Sequence, residues 1–326
     1  MFGWLNRWGK QTQGGGVASP PTDLPTPAPA ANNEPALWAT HADTLAWTLG
    51  TPVPLAAHHG EASPPHPWGQ AALRAVDAVL ARSTLPTDLV PRAPAVIPQL
   101  LSLMRQDDLP LASIVERVVR DPLLTAEVMR LARSPHYRTR QRIETLEGAV
   151  TVLGAGGLQA AIARVVLRPL FRGDSAGLMG CAAERSWPHA SRQAELAADL
   201  AAAQGLPRIE GFLAGLLHGS GRTALWRILD AQTQTSTLAT APWPPMPWDP
   251  ALYAELAARS HCLFGQLALD WRITAALGEA GAALRHTQPA TTYSGLPPLA
   301  ALVLEAELRC TQELAQTPEV LATPDE

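Results

Sequence analysis

Apolar residues recur along this chain with the period of a helix. Leu111, Ile114, Val115, Val118 and Val119 fall at i, i+3, i+4, i+7 and i+8, which puts them on a single stripe. Asp121-Pro122 then reads as an N-cap followed by the first residue of a new helix. Leu124, Val128 and Leu131 continue a buried face until Ser134-Pro135 breaks it. The same reading predicts helices over about 145–153, 155–171, 189–204, 208–218, 221–230, 251–259, 262–270, 273–286 and 297–316. Gly154, Gly205 and Gly219 each sit where such a helix would stop.

Before this helical region the pattern fails. Residues 11–36 combine Gly14, Gly15 and Gly16 with six prolines from Pro20 to Pro35, too little apolar surface to offset the entropy of ordering. A short apolar segment follows, with Leu37, Trp38, Leu45, Trp47 and Leu49, and then a second proline cluster from Pro52 to Pro67. The expected organisation is a largely disordered arm and linker over 1–72, a helical domain over 73–290 that becomes compact near Leu73, and a C-terminal helix and tail over 291–326. His41, His58, His59 and His66 are scattered through the arm without helical spacing or a carboxylate partner, so they give no metal motif. The Pro-rich stretch 242–250, with Trp243 and Trp248, reads as a packed surface loop.

Composition supports an all-α fold, since alanine and leucine dominate and strand-forming runs are few. With 326 residues and a net charge of −4, the chain has ample core material and no overall basic field. Nucleic acid is therefore not an expected partner. Cys181, Cys262 and Cys310 are odd in number and far apart, which suggests a reducing compartment without a disulfide framework. No window approaches the ~20 apolar residues of a membrane span. Phe2, Leu5 and Trp8, with Arg7 and Lys10 nearby, would form an interfacial anchor over residues 1–10, set against a frayed tail.

Two local motifs invite chemistry. Ala149 to Gly157 contains Leu153-Gly154-Ala155-Gly156-Gly157, close to the phosphate loop of a dinucleotide-binding unit, but Gln159 stands where the third glycine belongs. No acidic-ended second strand follows. Its simpler reading is one helix ending and another beginning. The second motif is Gly211-Phe-Leu-Ala-Gly-Leu-Leu-His218-Gly-Ser-Gly-Arg222, a helix that delivers a histidine into a Gly-rich stretch ending in a basic residue.

That second motif resembles the core of the HD superfamily of metal phosphohydrolases, with Gly219 where the aspartate would follow the histidine. From Leu85 onward an ordered series is similar to the HDOD family, HD relatives that typically lack the catalytic set. The series comprises Asp121 to Thr125, Met129 to Ser134 (with Arg133 where asparagine is usual), Ile143 to Gly154, Trp187-Pro188-His189, Gly211 to Arg222, Gly265 to Trp271, and His286. The resemblance implies a multi-helix HD-like bundle and a degenerate site at His189, His218, Gly219, Arg222 and His286. Catalytic residues are not expected there. Glycine offers no ligand, and Ser220 is a weak substitute, although two or three imidazoles could still hold one vestigial divalent metal. Core histidines satisfied by their neighbours are the plainer account of His189 and His218. Arg222 either retains recognition of a small anion or is a surface arginine paired with Glu210 or Asp230. The function implied is a cytoplasmic, bacterial-type regulatory module that binds signalling proteins. The competing reading is a phosphohydrolase of nucleotides or cyclic dinucleotides.

Overall fold

A computed structural model describes residues 40–50, 67–90, 118, 122–134, 143–173, 177–235, 249–288 and 295–316. Helices α1 (His41–Thr48), α2 (Pro67–Leu80), α3 (Pro122–Ala132), α4 (Leu146–Leu167) and α5 (Leu178–Ala203) are followed by α6 (Arg208–Thr235), α7 (Pro250–Trp271), α8 (Ala275–Leu284) and α9 (Pro298–Gln316). Short 3-10 turns at Thr87–Leu89 and Arg168–Phe171 complete the described elements, and there is no strand among them. The all-α expectation holds. The stripe from Leu111 to Val119 lies outside the described residues except for Val118, which is buried. Residues 1–10 and the prolines and tryptophans of the 242–248 segment also lie outside them.

Capping chemistry sets several of the boundaries. Thr40 and Asp43 form a reciprocal capping box at α1, Thr145 accepts the Gly148 N–H at α4, and Thr274 does the same for Leu277 at α8. Helix α5 lacks a capping side chain of its own. The carboxylate of Asp230, from the far end of α6, accepts the Leu178 and Met179 N–H groups at 2.7 and 3.1 Å. Gly177 permits this, because a Cβ there would lie 2.3 Å from Asp230 Oδ1. Gly205, with φ of 74°, ends α5, and Gly154, with φ of 59°, turns the chain within α4. The run Ala149 to Gly157 is helical on both sides of that turn, so the dinucleotide-loop likeness has no strand beneath it.

Three expectations are corrected. Helix α6 runs unbroken through Gly219, and α7 runs unbroken where two helices were expected around 259–262. The reason at Gly219 is packing. Gly211, Gly215 and Gly219 recur every four residues on the face of α6 that meets α5. A Cβ on Gly211 would lie 2.4 Å from the Ala197 carbonyl oxygen, and one on Gly215 would lie 2.8 Å from Ala197 Cβ. These glycines serve close approach of two helices. Helix α5 begins well before residue 189 and carries Pro188 inside it, at the loss of one N–H donor.

The expected compact boundary near Leu73 is also corrected. Ala42, Leu45 and Ala46 of α1 and its C-cap Leu49 are buried in the main hydrophobic cluster, together with Leu299, Leu302 and Val303 of α9. Both termini of the described chain therefore belong to the bundle. Farther out, Arg164 of α4 ties three helices by pairing with Glu127 of α3 at 2.5 Å and Glu195 of α5 at 3.2 Å.

A packing test follows. A Cβ at Gly221 would lie 2.1 Å from the Ser260 carbonyl oxygen of α7, whereas one at Gly278 meets nothing within 4 Å. Gly221→Ala should lower unfolding stability by ~1–3 kcal/mol. Gly278→Ala should raise it by roughly 0.5–1 kcal/mol. Urea denaturation of both variants checks the pair.

Candidate functional site

The polar residues of the bundle centre come as pairs one helical turn apart. His218 and Arg222 share a face of α6, His189 and Gln193 a face of α5, and Glu307 and Thr311 a face of α9. His261 comes from α7, and His41 and Thr44 from α1. Apart from His41, whose side chain is 22% exposed, all of these are buried.

Glu307 is the hub. Its Oε1 accepts from the Arg222 guanidinium, and both side chains are 2% exposed. Its Oε2 lies 2.5 Å from His41 Nδ1 and 2.9 Å from His261 Nε2. The same guanidinium donates to His189 Nδ1 at 3.0 Å. Arginine only donates, so this nitrogen of His189 carries the lone pair, and its Nε2–H is left for Thr311 Oγ1 at 3.0 Å. Thr311 in turn meets Thr44 Oγ1 at 2.7 Å and the Glu307 carbonyl at 3.0 Å. The Gln193 amide nitrogen donates to the Val303 carbonyl at 3.1 Å and to His218 Nδ1 at 3.0 Å, which places the His218 proton on Nε2.

Charge follows from this arrangement. Burial pushes the imidazoles of His189 and His218 well below their ordinary range, and the neighbouring Arg222 cation adds to the effect at both. Burial likewise lowers His261. For Glu307 burial works upward, but His218, His261 and Arg222 outweigh it and hold the carboxyl well below the usual carboxylate range. With the His189, His218 and His261 imidazoles neutral at pH 7, the permanent charge opposing Glu307 is the guanidinium.

The expected site residues divide. His189, His218 and Arg222 do converge. Arg222 is not a surface arginine, and neither suggested partner holds it: Glu210 accepts from Thr274, while Asp230 caps α5. Two of its nitrogens are committed to Glu307 and His189, so the structure gives it no free fork for an anion. His286 is exposed, beyond the C-terminal end of α8. Gly219 sits in the helix with no space for a side chain: a Cβ would lie 2.7 Å from Phe171 Cε1, 3.3 Å from Ala190 Cβ and 3.4 Å from an Arg222 nitrogen. Phe171 is backed by Trp187, 5.5 Å away between ring centroids, and Trp187 faces Arg164 and Arg168. His261, Gln193, Glu307 and Thr311 had no reading in the sequence, and His41 was weighed as a metal ligand there and set aside. A signal for Gln193 existed, because His189-x3-Gln193 repeats the His218-x3-Arg222 spacing on a facing helix.

A family model for the HDOD domain matches residues 90–284. The chain belongs to the HDOD family. Among solved structures it is similar to an HDOD domain protein of unknown function from Geobacter sulfurreducens, at 21% identity over 74% of this chain and 78% of that one, with a TM-score of 0.47. It is also similar to a protein from Shewanella amazonensis SB2B described as a candidate phosphohydrolase, at 20% identity over 78% and 82% of the two chains, with a TM-score of 0.43. No curated protein matches the chain.

An HD-type metal does not fit the positions this HDOD chain would offer it. Both nitrogens of His189 and Nδ1 of His218 are engaged, position 219 supplies no ligand, and a guanidinium lies beside it. No single described helix is long and apolar enough to cross a membrane.

Two predictions test this electrostatic account. Arg222→Met or Glu307→Gln alone strands a buried partner and should cost ~3–5 kcal/mol in chemical denaturation. The double replacement Arg222→Met with Glu307→Gln should cost clearly less than the sum of the two. For pH, the folded imidazoles of His189 and His218 are harder to protonate than unfolded ones, whose ordinary value is 6.5. Their stabilisation is therefore complete above pH ~6.5 and is lost as the pH falls below it. Glu307, depressed from 4.5, adds a further loss at lower pH. Unfolding free energy measured with a chelator present should decline from pH 6.5 to 5, while a rise on acidification would refute the neutral assignment.

Proposed function

We propose that this HDOD chain is a regulatory module of signal transduction that works by binding partner proteins, and that its HD-type site does not hydrolyse phosphate esters. One observation carries the second half. At position 219 a carboxylate has no room, and the nearest charged group is the cation of Arg222. Hydrolysis by an HD-type site needs anionic ligands that hold divalent cations, generate hydroxide and neutralise phosphate charge. Here Glu307, the one carboxylate of the central cluster among the described residues, is engaged by a guanidinium, which supplies positive charge but no water to activate.

Partner binding in the cytoplasm rests on family membership and on what the chain offers chemically. Its net charge of −4 gives no field for nucleic acid, and its described surface is helical. Signalling proteins are the proposed partners, engaged through helical faces, while the buried cluster fixes how those helices sit. A small anionic ligand at Arg222 has no support from the geometry, because that side chain is buried and engaged.

The test is turnover. Full-length protein supplied with manganese or iron should show no hydrolysis of nucleotides or cyclic dinucleotides above background. Turnover that disappears in His218→Ala would overturn this reading. Gly219→Asp restores the aspartate of the HD motif, yet it should add no activity and should lower stability by about 1–3 kcal/mol, because Phe171 must move.

A further inference from the structure

Three ligating atoms outside the HD-type positions converge on one point. They are Nδ1 of His41 on α1, Nε2 of His261 on α7 and Oε2 of Glu307 on α9, all within 4.8 Å of one another. We propose that these three side chains bind one divalent transition-metal cation of the zinc class. Two of the three ligands, His41 and Glu307, lie outside the span 90–284 that matches the family, and His261 lies inside it.

The donor set decides the class of ion. Two imidazole nitrogens and one carboxylate oxygen suit zinc and its neighbours, whereas magnesium and calcium prefer all-oxygen shells. The ligands come from three helices, with His41 and Glu307 separated by 266 positions and His261 and Glu307 by 46. A cation there would cross-link the N-terminal and C-terminal helices of the bundle. Its neighbours are already ordered. Arg222 holds the other oxygen of Glu307, the kind of second hydrogen bond that orients a metal-ligating carboxylate. Buried His261 Nδ1 and His218 Nε2 have no hydrogen-bond partner, so the cluster is polar beyond what its own contacts satisfy. His41 is the partly exposed member and marks the side from which an ion would enter.

Both imidazoles touch the same oxygen, at 2.5 and 2.9 Å. Without an ion these are N–H donations to a carboxylate. With one, each histidine turns a lone pair to the cation and carries a proton on its other ring nitrogen. Because Arg222 already neutralises Glu307, the cation brings uncompensated positive charge. That disfavours hard ions most, as they gain least from imidazole.

The test uses full-length protein stripped by chelator and titrated with zinc, cobalt or magnesium chloride, followed by calorimetry and thermal melting. The expected result is one zinc per chain with a raised melting temperature, no response to magnesium, and cobalt absorption bands of nitrogen and oxygen ligation. His41→Ala, a change at a partly exposed position, should weaken zinc at least about tenfold and abolish the cobalt bands, and His261→Ala should do the same. His286→Ala, an exposed histidine, should change neither. No zinc binding, or binding unchanged in His41→Ala, overturns the site. Zinc binding without turnover upholds both this site and the regulatory reading, whereas zinc binding with phosphodiester turnover upholds the site and overturns that reading.

Discussion

The buried pairing of Arg222 with Glu307 is the constraint that the centre of this bundle is organised around. Two charges removed from water lose several kcal/mol of solvation each, and their mutual attraction compensates only when geometry and additional hydrogen bonds satisfy the remaining polar atoms. The surrounding residues meet that requirement. His189 accepts from the guanidinium, His41 and His261 donate to the carboxylate, and Thr311 and Gln193 anchor the imidazoles that face the pair. These groups come from five helices, so the ion pair can be satisfied only when α1, α5, α6, α7 and α9 are all in place. Such a network acts as a check on assembly, because an apolar slip of any one helix would strand a charge.

The glycine ladder on α6 makes this reach possible. Gly211, Gly215 and Gly219 bring the α6 backbone against Ala197, Ala194 and Ala190 of α5. On ordinary side chains the helices would stand farther apart, and Arg222 could not contact both His189 on α5 and Glu307 on α9. The same closeness explains why Gly219 carries no side chain. The space that a Cβ would take is filled by Phe171, held in turn by Trp187, so the Trp-Pro-His element and the Gly-rich stretch are two sides of one contact.

The helical class of the fold was legible from apolar periodicity, and the stops at Gly154 and Gly205 were legible because a glycine ending an apolar period reads as a cap. Gly219 was misread by the same rule, since a lone glycine after a histidine looks like a helix end. The distinguishing signal was the four-residue repeat with Gly211 and Gly215, which a cap does not require. Arg222 was misread because most arginines are at the surface and because its partner lies 85 residues away, where no local spacing points. His41 was set aside because it lacked helical spacing to other histidines and a carboxylate partner nearby in sequence. Yet α1 carries its own capping box and a buried apolar face, and the carboxylate lies 266 positions away. His286 was placed by order in a motif series, and order along a chain does not fix depth in a bundle.

The two oxygens of Glu307 have different circumstances, and that difference links the regulatory reading to the metal proposal. Oε1 faces a cation covalently part of the chain, so the fold does not depend on capturing a dissociable ion to balance its central charge. Oε2 faces two imidazoles, one of them partly open to solvent. A guanidinium on one oxygen lowers the carboxylate's basicity toward any ion on the other, yet it also fixes the direction of the remaining lone pairs. Hydrolytic chemistry needs more anionic charge than one shared carboxylate supplies. A single structural ion, held between α1 and the bundle, needs only direction and donors, and those are what this side of Glu307 provides.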